Sequence, residues 1–166
     1  GIYLDTDVEL VKPLDTLLES PAFIGYDKDI PWRLQTAIIG VEKGNIWVER
    51  WLSIYLTRKF LSTRKSMAQS QSAILTSRKM EEEGVYLDGT YQVLEDIILY
   101  PSDYFCPMSN GTHFIETTPN TYCIHYIIMS WSEPETLKGY IKGIIVPIIG
   151  ERLFRKIVNR IRSYYK

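Results

Sequence analysis

The sequence contains only two cysteines among 166 residues. Cys106 and Cys123 are too few for a disulfide framework and lack the Cys-X-X-Cys spacing of a zinc or redox site. We therefore expect both to be small core residues of a protein in a reducing, cytoplasmic setting. No stretch reaches the roughly 18 apolar, uncharged residues of a membrane-spanning helix. Internal repeats and low-complexity segments are also absent, which argues against a solenoid or fibrous architecture.

The composition is that of an ordinary globular domain, with 45% hydrophobic and 23% charged residues. A chain of this length can bury one real core. The first residue is Gly1, and an apolar strand pattern follows at once without a signal-like segment. We interpret the chain as a fragment or a processed chain.

Charge is distributed unevenly along the chain. The net charge is -1, but residues 151–166 carry six basic residues and one acid, which leaves -6 for residues 1–150. The tail has an apolar helical face opposite its basic residues, as interfacial helices do, so we expect contact with an anionic membrane surface. Packing of that face on the rest of the domain is the alternative. A single basic helix on an acidic body does not indicate nucleic-acid binding.

Short β-favouring runs alternate with helical patterns, which predicts a layered α/β domain. Strands are predicted at 2–4, resuming at 8–11, and at 22–25, 37–41, 91–94, 97–100 and 122–129. Helices are predicted after Pro13, after the turn at 43–45, and within 66–83, where Gly84 is the stop signal. In the second helix, a core-facing side is predicted for four residues, Val48, Trp51, Leu52 and Tyr55. We divide the chain into residues 1–133 and a helical, basic tail at 134–166.

The strongest chemical signal is Asp5-Thr6-Asp7, directly after the apolar run Ile2-Tyr3-Leu4. We expect that run to be a buried strand, and unpaired carboxylates beside a core are costly. A divalent cation is the simplest compensation, because carboxylates suit Mg²⁺ or Mn²⁺ bound together with substrate phosphates. Two acids in a solvated turn give the same pattern without any metal.

The surroundings of this motif resemble a known family. The segment from Gly1 to Leu14 is similar to the sugar-nucleotide-binding segment of the family 32 glycosyltransferases, distant relatives of the clostridial toxin glucosyltransferases. The likeness continues in further ordered blocks, namely Ala22-Phe23-Ile24-Gly25-Tyr26, Gly40-Val41-Glu42-Lys43-Gly44, Tyr100-Pro101-Ser102-Asp103-Tyr104-Phe105-Cys106-Pro107, Thr121-Tyr122-Cys123-Ile124-His125-Tyr126 and Ser130-Trp131. Together these blocks cover roughly residues 1 to 131.

The resemblance implies an incomplete GT-A domain, Rossmann-like and beginning at its Asp-X-Asp strand, with the helical tail appended. It also implies a retaining hexosyltransferase that moves a sugar from a UDP- or GDP-sugar donor to a glycan or lipid-linked glycan acceptor. As an isolated fragment the chain is expected to be inactive. The tail at 151–166 would then contact the membrane that holds such an acceptor.

The same resemblance implies roles for individual residues. Asp7 would bind Mn²⁺ or Mg²⁺ directly, Asp5 would contact the ribose and help hold the metal, and His125 would lie near the metal or the diphosphate. The donor pocket would also include Tyr3, Ser130 and Trp131, and the indole N–H of Trp131 would donate to the leaving phosphate. In the family pattern a second histidine often follows the first, and this sequence has Tyr126 there.

Two other functions share parts of the pattern. A haloacid-dehalogenase-type phosphotransferase would use Asp5 as nucleophile, but it expects Thr or Val where this chain has Glu9, and its later Gly-Asp pair is missing. A calcium-binding module is disfavoured because the loop beginning at Asp5 has no glycine at its sixth position.

Several other polar residues are candidates for minor roles. Gln35, Glu42 and Asn45 are weak candidates for an acceptor pocket. Glu95-Asp96 is expected to be a solvated turn between two strands, and His113 a surface residue in a polar loop.

Overall fold

The computed structural model describes residues 1–56 and 71–127, and in the tail residues 145, 148–150, 152–154, 156–157 and 160. The strands are β1 (Ile2–Leu4), β2 (Val8–Leu10), β3 (Ala22–Tyr26), β4 (Leu34–Val41), β5 (Gln92–Val93), β6 (Ile98–Tyr100) and β7 (Cys123–His125). The helices are α1 (Ile46–Leu56), α2 (Ser72–Glu82) and α3 (Ser102–Phe105), and Asp15–Leu17 forms a 3-10 turn. The predicted α/β class is confirmed.

Five strands form the central sheet in the order β1-β4-β3-β6-β5. The pair β3 and β6 is parallel, and the other neighbouring pairs are antiparallel. It follows that β1, β3 and β6 run in the same direction and end at one edge, which we call the carboxyl edge. Segments 5–7 and 27–33 both begin there, as does the chain after Tyr100.

Both faces of the sheet are covered, and the strand residues alternate between them. On one face Ala22, Ile24 and Tyr26 pack with two tryptophans of α1, Trp47 and Trp51, and with α2. On the other face Phe23 packs with the 3-10 turn, α3 and β7. The period of two along β3 places successive side chains in different layers, so the whole strand is buried.

A second, two-stranded sheet joins distant parts of the sequence. Strands β2 and β7 pair antiparallel, with Val8 opposite His125 and Leu10 opposite Cys123. The pairing extends beyond the strands, since the Tyr126 N–H donates to the Asp7 carbonyl at 3.0 Å. This register places residue 125 beside the Asp-X-Asp segment.

The expectation that Ile2-Tyr3-Leu4 is a buried strand was wrong. All three side chains are exposed, Tyr3 to 56%, because β1 is an edge strand that pairs with β4 alone. Residues 8–10 do not continue β1 either. A turn closed by the Val8 N–H on the Asp5 carbonyl (3.3 Å) redirects the chain into the second sheet.

The helix predictions were partly correct. In α1, Trp51 is buried as predicted, but Val48, Leu52 and Tyr55 are exposed. The reason is that Trp47 and Trp51, which are one turn apart, occupy the narrow stripe of the helix that faces the sheet. In α2, Leu75 and Met80 are buried, and Gly84 follows with φ +87, the left-handed conformation that ends a helix. The predicted residues 66–70 lie outside the described residues.

The tail is helical wherever it is described between 145 and 160, except at Gly150. Leu153 and Ile157, one helical turn apart, are 49% and 42% exposed. Among the described residues no helix has the length and hydropathy needed to cross a membrane. The predicted boundary at 133 and 134 falls outside the described part of the chain.

Candidate metal centre

Asp5, Asp7 and His125 meet at the carboxyl edge of the sheet. One possible ligand atom from each residue lies within 4.8 Å of the other two, and all three residues are half-buried. The Asp5 N–H donates to the Ala37 carbonyl at 2.8 Å, which fixes the start of the motif against β4. The β2–β7 register supplies the histidine. Two separate strand pairings therefore assemble this cluster.

The contact between Asp7 and His125 is close without being a well-formed hydrogen bond. His125 Nε2 lies 3.5 Å from Asp7 Oδ2, with side-chain exposures of 16% and 15%. Good hydrogen bonds of this type measure about 2.7–3.2 Å. The other ring nitrogen, Nδ1 of His125, is buried and has no hydrogen-bond partner among the described residues. Buried side-chain nitrogens usually have such a partner.

Two tyrosines orient carboxylates around the cluster. The Tyr3 hydroxyl donates to Asp5 Oδ1, and the Tyr126 hydroxyl donates to a Glu9 carboxylate oxygen. The hydrogen bond to Asp5, with smaller contributions from burial and from the negative charges of Asp5 and Asp7, raises the pKa of Tyr3. The bond to Glu9 likewise raises the pKa of Tyr126. Both tyrosines therefore remain protonated donors at neutral pH, and Tyr126 contacts Glu9 in place of a second imidazole.

The donor set suits a divalent cation. Two carboxylates and an imidazole fit Mn²⁺, and the carboxylates alone fit Mg²⁺. With metal–ligand bonds of about 2.1 Å, two ligands of one ion stand about 3 to 4 Å apart. The 3.5 Å separation of His125 Nε2 and Asp7 Oδ2 falls in that range.

Comparison with protein-family models, with curated proteins and with solved structures finds no match to this chain. The site therefore has to be interpreted from its own geometry. Of the predicted site residues, the structure brings together Tyr3, Asp5, Asp7 and His125. Ser130 and Trp131 lie outside the described residues, and their roles stay predictions.

The weak acceptor-pocket candidates have local structural partners. Gln35 is buried, and its amide group binds the backbone of its own strand at Ala37 and Ile38. Asn45 caps α1 by accepting from the Trp47 N–H at 3.0 Å and donates to the Asp96 carbonyl at 2.8 Å. Glu42 follows the far end of β4, opposite the carboxyl edge. A pocket role for these three residues stays a prediction.

The other predictions had mixed outcomes. Cys106 and Cys123 are buried as predicted, and burial raises the pKa of each thiol to about 12. Residues 95–96 form a bend between β5 and β6, as expected. His113 was predicted to lie on the surface, but it is half-buried with φ +56, in a loop where its N–H donates to the Ser109 carbonyl at 2.7 Å.

Sequence reasoning missed a second Asp-X-Asp motif, Asp27-Lys28-Asp29, which directly follows β3 at the same edge. Asp27 accepts from the N–H groups of Asp29 (2.8 Å) and Ile30 (3.0 Å) and from the Arg33 guanidinium (2.7 Å). Asp29 accepts from the Ser109 hydroxyl at 2.9 Å and the Gly111 N–H at 3.0 Å. The signal that could have found it is the same one that singled out Asp5 and Asp7, two acids at a strand end.

Proposed function

We propose that the chain carries the metal and donor-diphosphate site of a glycosyltransferase. In this proposal a sugar passes from a UDP- or GDP-sugar to a glycan or lipid-linked glycan acceptor with Mn²⁺ or Mg²⁺ bound. The observation that carries the proposal is the convergence of Asp5, Asp7 and His125 at the carboxyl edge, where one possible ligand atom of each lies within 4.8 Å of the other two. Two acids in a fully solvated turn would be exposed, whereas the side chains of Asp7 and His125 are only 15% and 16% exposed.

The chemistry follows from the residue types. Asp7 and His125 would hold the ion, and Asp5, oriented by the Tyr3 hydroxyl, would complete the carboxylate pair and face the ribose. A bound cation supplies positive charge to a diphosphate leaving group, which becomes more negative as the glycosidic bond breaks. Ser130 and Trp131 would close the pocket, with the indole N–H donating to the leaving phosphate.

The fold is compatible with this function at the level of its architecture. In parallel α/β sheets ligands bind outside the carboxyl ends of the strands, and the cluster lies at the edge where β1 and the parallel pair β3 and β6 end. A Rossmann-like GT-A arrangement and the retaining stereochemistry rest on the likeness of residues 1–131 to the family 32 glycosyltransferases. That likeness supports the proposal, because its blocks include each of the three clustered residues.

The decisive experiment measures donor hydrolysis by the full-length protein. UDP-glucose, UDP-galactose and GDP-mannose are each incubated with Mn²⁺, using wild type, Asp7→Asn and the control Asp15→Asn, which alters an exposed acid in the 3-10 turn. We expect hydrolysis of at least one donor, abolished by Asp7→Asn and unchanged in the control, because an amide cannot supply the carboxylate charge.

Two results would overturn this proposal. One is hydrolysis by Asp7→Asn at the wild-type rate while circular dichroism shows an intact fold. The other is the absence of turnover by wild type with every donor. Trapping of an aspartyl-phosphate on Asp5 would instead favour the phosphotransferase.

We also propose that the tail holds the enzyme at an anionic membrane surface, where a lipid-linked acceptor is found. The support is the six basic residues of 151–166 and the exposed apolar pair Leu153 and Ile157. Each basic residue near such a surface contributes about 1 kcal/mol. Full-length protein should co-sediment with anionic vesicles at low salt, and deletion of 151–166 should abolish this. Unchanged sedimentation after the deletion would contradict the proposal.

A further inference from the structure

Trp32 is an exposed indole on a firmly held loop. It lies in the β3–β4 connection at 27–33, at the carboxyl edge, and is 62% exposed. No hydrogen bond or ring contact joins its side chain to any residue that the structure describes. By contrast Trp47 and Trp51 are in the core, at 6% and 7% exposure. Leaving a large aromatic side chain in water forgoes the free energy of its burial.

The base of this loop is closed by backbone and side-chain bonds together. The Asp27 N–H donates to the Arg33 carbonyl at 2.8 Å, and the Arg33 guanidinium donates to the Asp27 carboxylate at 2.7 Å. Within the loop the Arg33 N–H donates to the Ile30 carbonyl at 2.9 Å. The backbone on both sides of Trp32 is therefore fixed.

The loop is also tethered on two sides to neighbouring segments. Asp29 binds Ser109 and Gly111, and Lys28 forms an ion pair with Glu116 at 3.0 Å. On the other side Gly89, at φ +83, lies so close that a Cβ there would stand 3.0 Å from Pro31. Pro31 and Arg33, the neighbours of Trp32 in sequence, are thus held in place while its indole faces solvent. An exposed side chain on a fixed backbone loses little conformational freedom on binding, and such preorganisation is typical of binding residues.

We propose that Trp32 is a stacking platform for a sugar ring of the acceptor glycan. This inference rests on the proposed function and names the side of the same site that would receive the acceptor. A pyranose has an apolar C–H face that matches an indole and a rim of hydroxyls that bind polar side chains. Lys28 in the loop and Glu116 beside it form an ion pair whose charged groups can bind such hydroxyls. An apolar peptide would instead desolvate the Lys28–Glu116 pair.

The position fits an acceptor ring beyond the reacting one. Trp32 is five residues from Ala37, whose carbonyl accepts from the Asp5 N–H. Five residues span at most about 18 Å when fully extended. Trp32 thus stands within the reach of a glycan chain whose end lies at the metal cluster. Trp32 lies in the loop just before β4 begins, and its side chain is exposed to solvent.

The test is a titration of full-length protein with maltotriose, mannotriose and galactotriose, followed through the tryptophan indole ¹H–¹⁵N resonances. The Trp32 resonance is assigned by its loss in Trp32→Phe. We expect at least one trisaccharide to shift it, and Trp32→Ala to weaken that binding about tenfold, as loss of one aromatic stacking contact would. Trp32→Phe should retain most of the affinity. Leu18→Ala, which shortens a 55% exposed side chain just before β3 at the opposite edge, should retain it fully.

The inference is overturned if no trisaccharide moves the Trp32 resonance, if Trp32→Ala binds as tightly as wild type, or if UDP or GDP moves the resonance instead. If wild type hydrolyses no donor while trisaccharides still bind at Trp32, the proposed function fails and the sugar subsite stands.

Discussion

The chain has two Asp-X-Asp motifs, each directly after a strand that ends at the carboxyl edge. At Asp27-Lys28-Asp29 the carboxylates accept hydrogen bonds of 2.7–3.0 Å from backbone, guanidinium and hydroxyl groups. At Asp5-Thr6-Asp7 the neighbours include a histidine 3.5 Å away, whose second ring nitrogen is buried without a hydrogen-bond partner among the described residues. The same sequence pattern, at the same edge of the sheet, is therefore surrounded by different groups in the two motifs.

The difference separates structural acids from candidate functional ones. A carboxylate whose lone pairs are occupied by protein donors stabilises a loop and has little capacity left for a metal. Asp5 and Asp7 instead lie within 4.8 Å of an imidazole nitrogen, an arrangement that a divalent cation can bridge. We therefore expect substitutions at Asp5-Thr6-Asp7 to change metal affinity and substitutions at Asp27-Lys28-Asp29 to change stability.

The largest contrast is expected in metal binding itself. Asp7→Asn should lower Mn²⁺ affinity by more than about a hundredfold, because an ion of this type depends on one or two carboxylates. Asp29→Asn should leave the affinity unchanged. Calorimetric titration of the two variants with Mn²⁺ checks both. Equal loss of Mn²⁺ affinity in the two variants would contradict the proposed difference between the motifs.

Replacement of the histidine should have a smaller effect. His125→Gln keeps much of the packing in β7 but removes the imidazole, so we expect Mn²⁺ affinity to fall about ten- to a hundredfold. The thermal midpoint without metal should change little, because the 3.5 Å contact to Asp7 is too long to stabilise the fold strongly. A large drop in that midpoint with unaltered Mn²⁺ binding would make His125 a structural residue.

At the second motif the effect should be on stability. Asp27→Asn can retain the two backbone bonds but loses the charge that pairs with Arg33, whose Nε is already buried with no hydrogen-bond partner in the part of the chain that the structure describes. The free energy of unfolding should fall by about 1–3 kcal/mol, measured by urea denaturation. Asp5→Asn serves as the matched control and should alter it less. A stability loss at Asp5 as large as that at Asp27 would contradict the assignment.

The smallest effect is expected for Tyr3→Phe, which removes only the hydroxyl that donates to Asp5. Because Tyr3 is largely exposed, the bond competes with water, and we expect Mn²⁺ affinity to fall no more than severalfold. Tyr126→Phe, which loses a bond to Glu9 outside the cluster, is the comparison and should have no effect. A tenfold loss of Mn²⁺ affinity in Tyr126→Phe would instead indicate that Glu9 belongs to the metal site.

Local patterns predicted most of the elements, because strand and helix formation depend strongly on neighbouring residues. The strands at 22–26 and 98–100 lie where β-favouring runs predicted them, and α2 ends before Gly84. The burial predictions were wrong where the position of a strand within the sheet decides its exposure. An apolar run such as Ile2-Tyr3-Leu4 has the same pattern in a central and in an edge strand, so only the pairing of β1 with β4 alone revealed its exposure.

The sequence by itself determined the α/β class, the buried cysteines, and the position of Asp5 and Asp7 after a strand. Tertiary structure alone decided that Asp27 and Asp29 accept several hydrogen bonds within the loops while Asp5 and Asp7 lie beside an imidazole. The β2–β7 register places His125 beside Asp7 across more than a hundred residues, and the loop at 107–116 brings donors to Asp29. A carboxylate's role depends on the groups that surround it in space, and long-range strand pairing sets those surroundings.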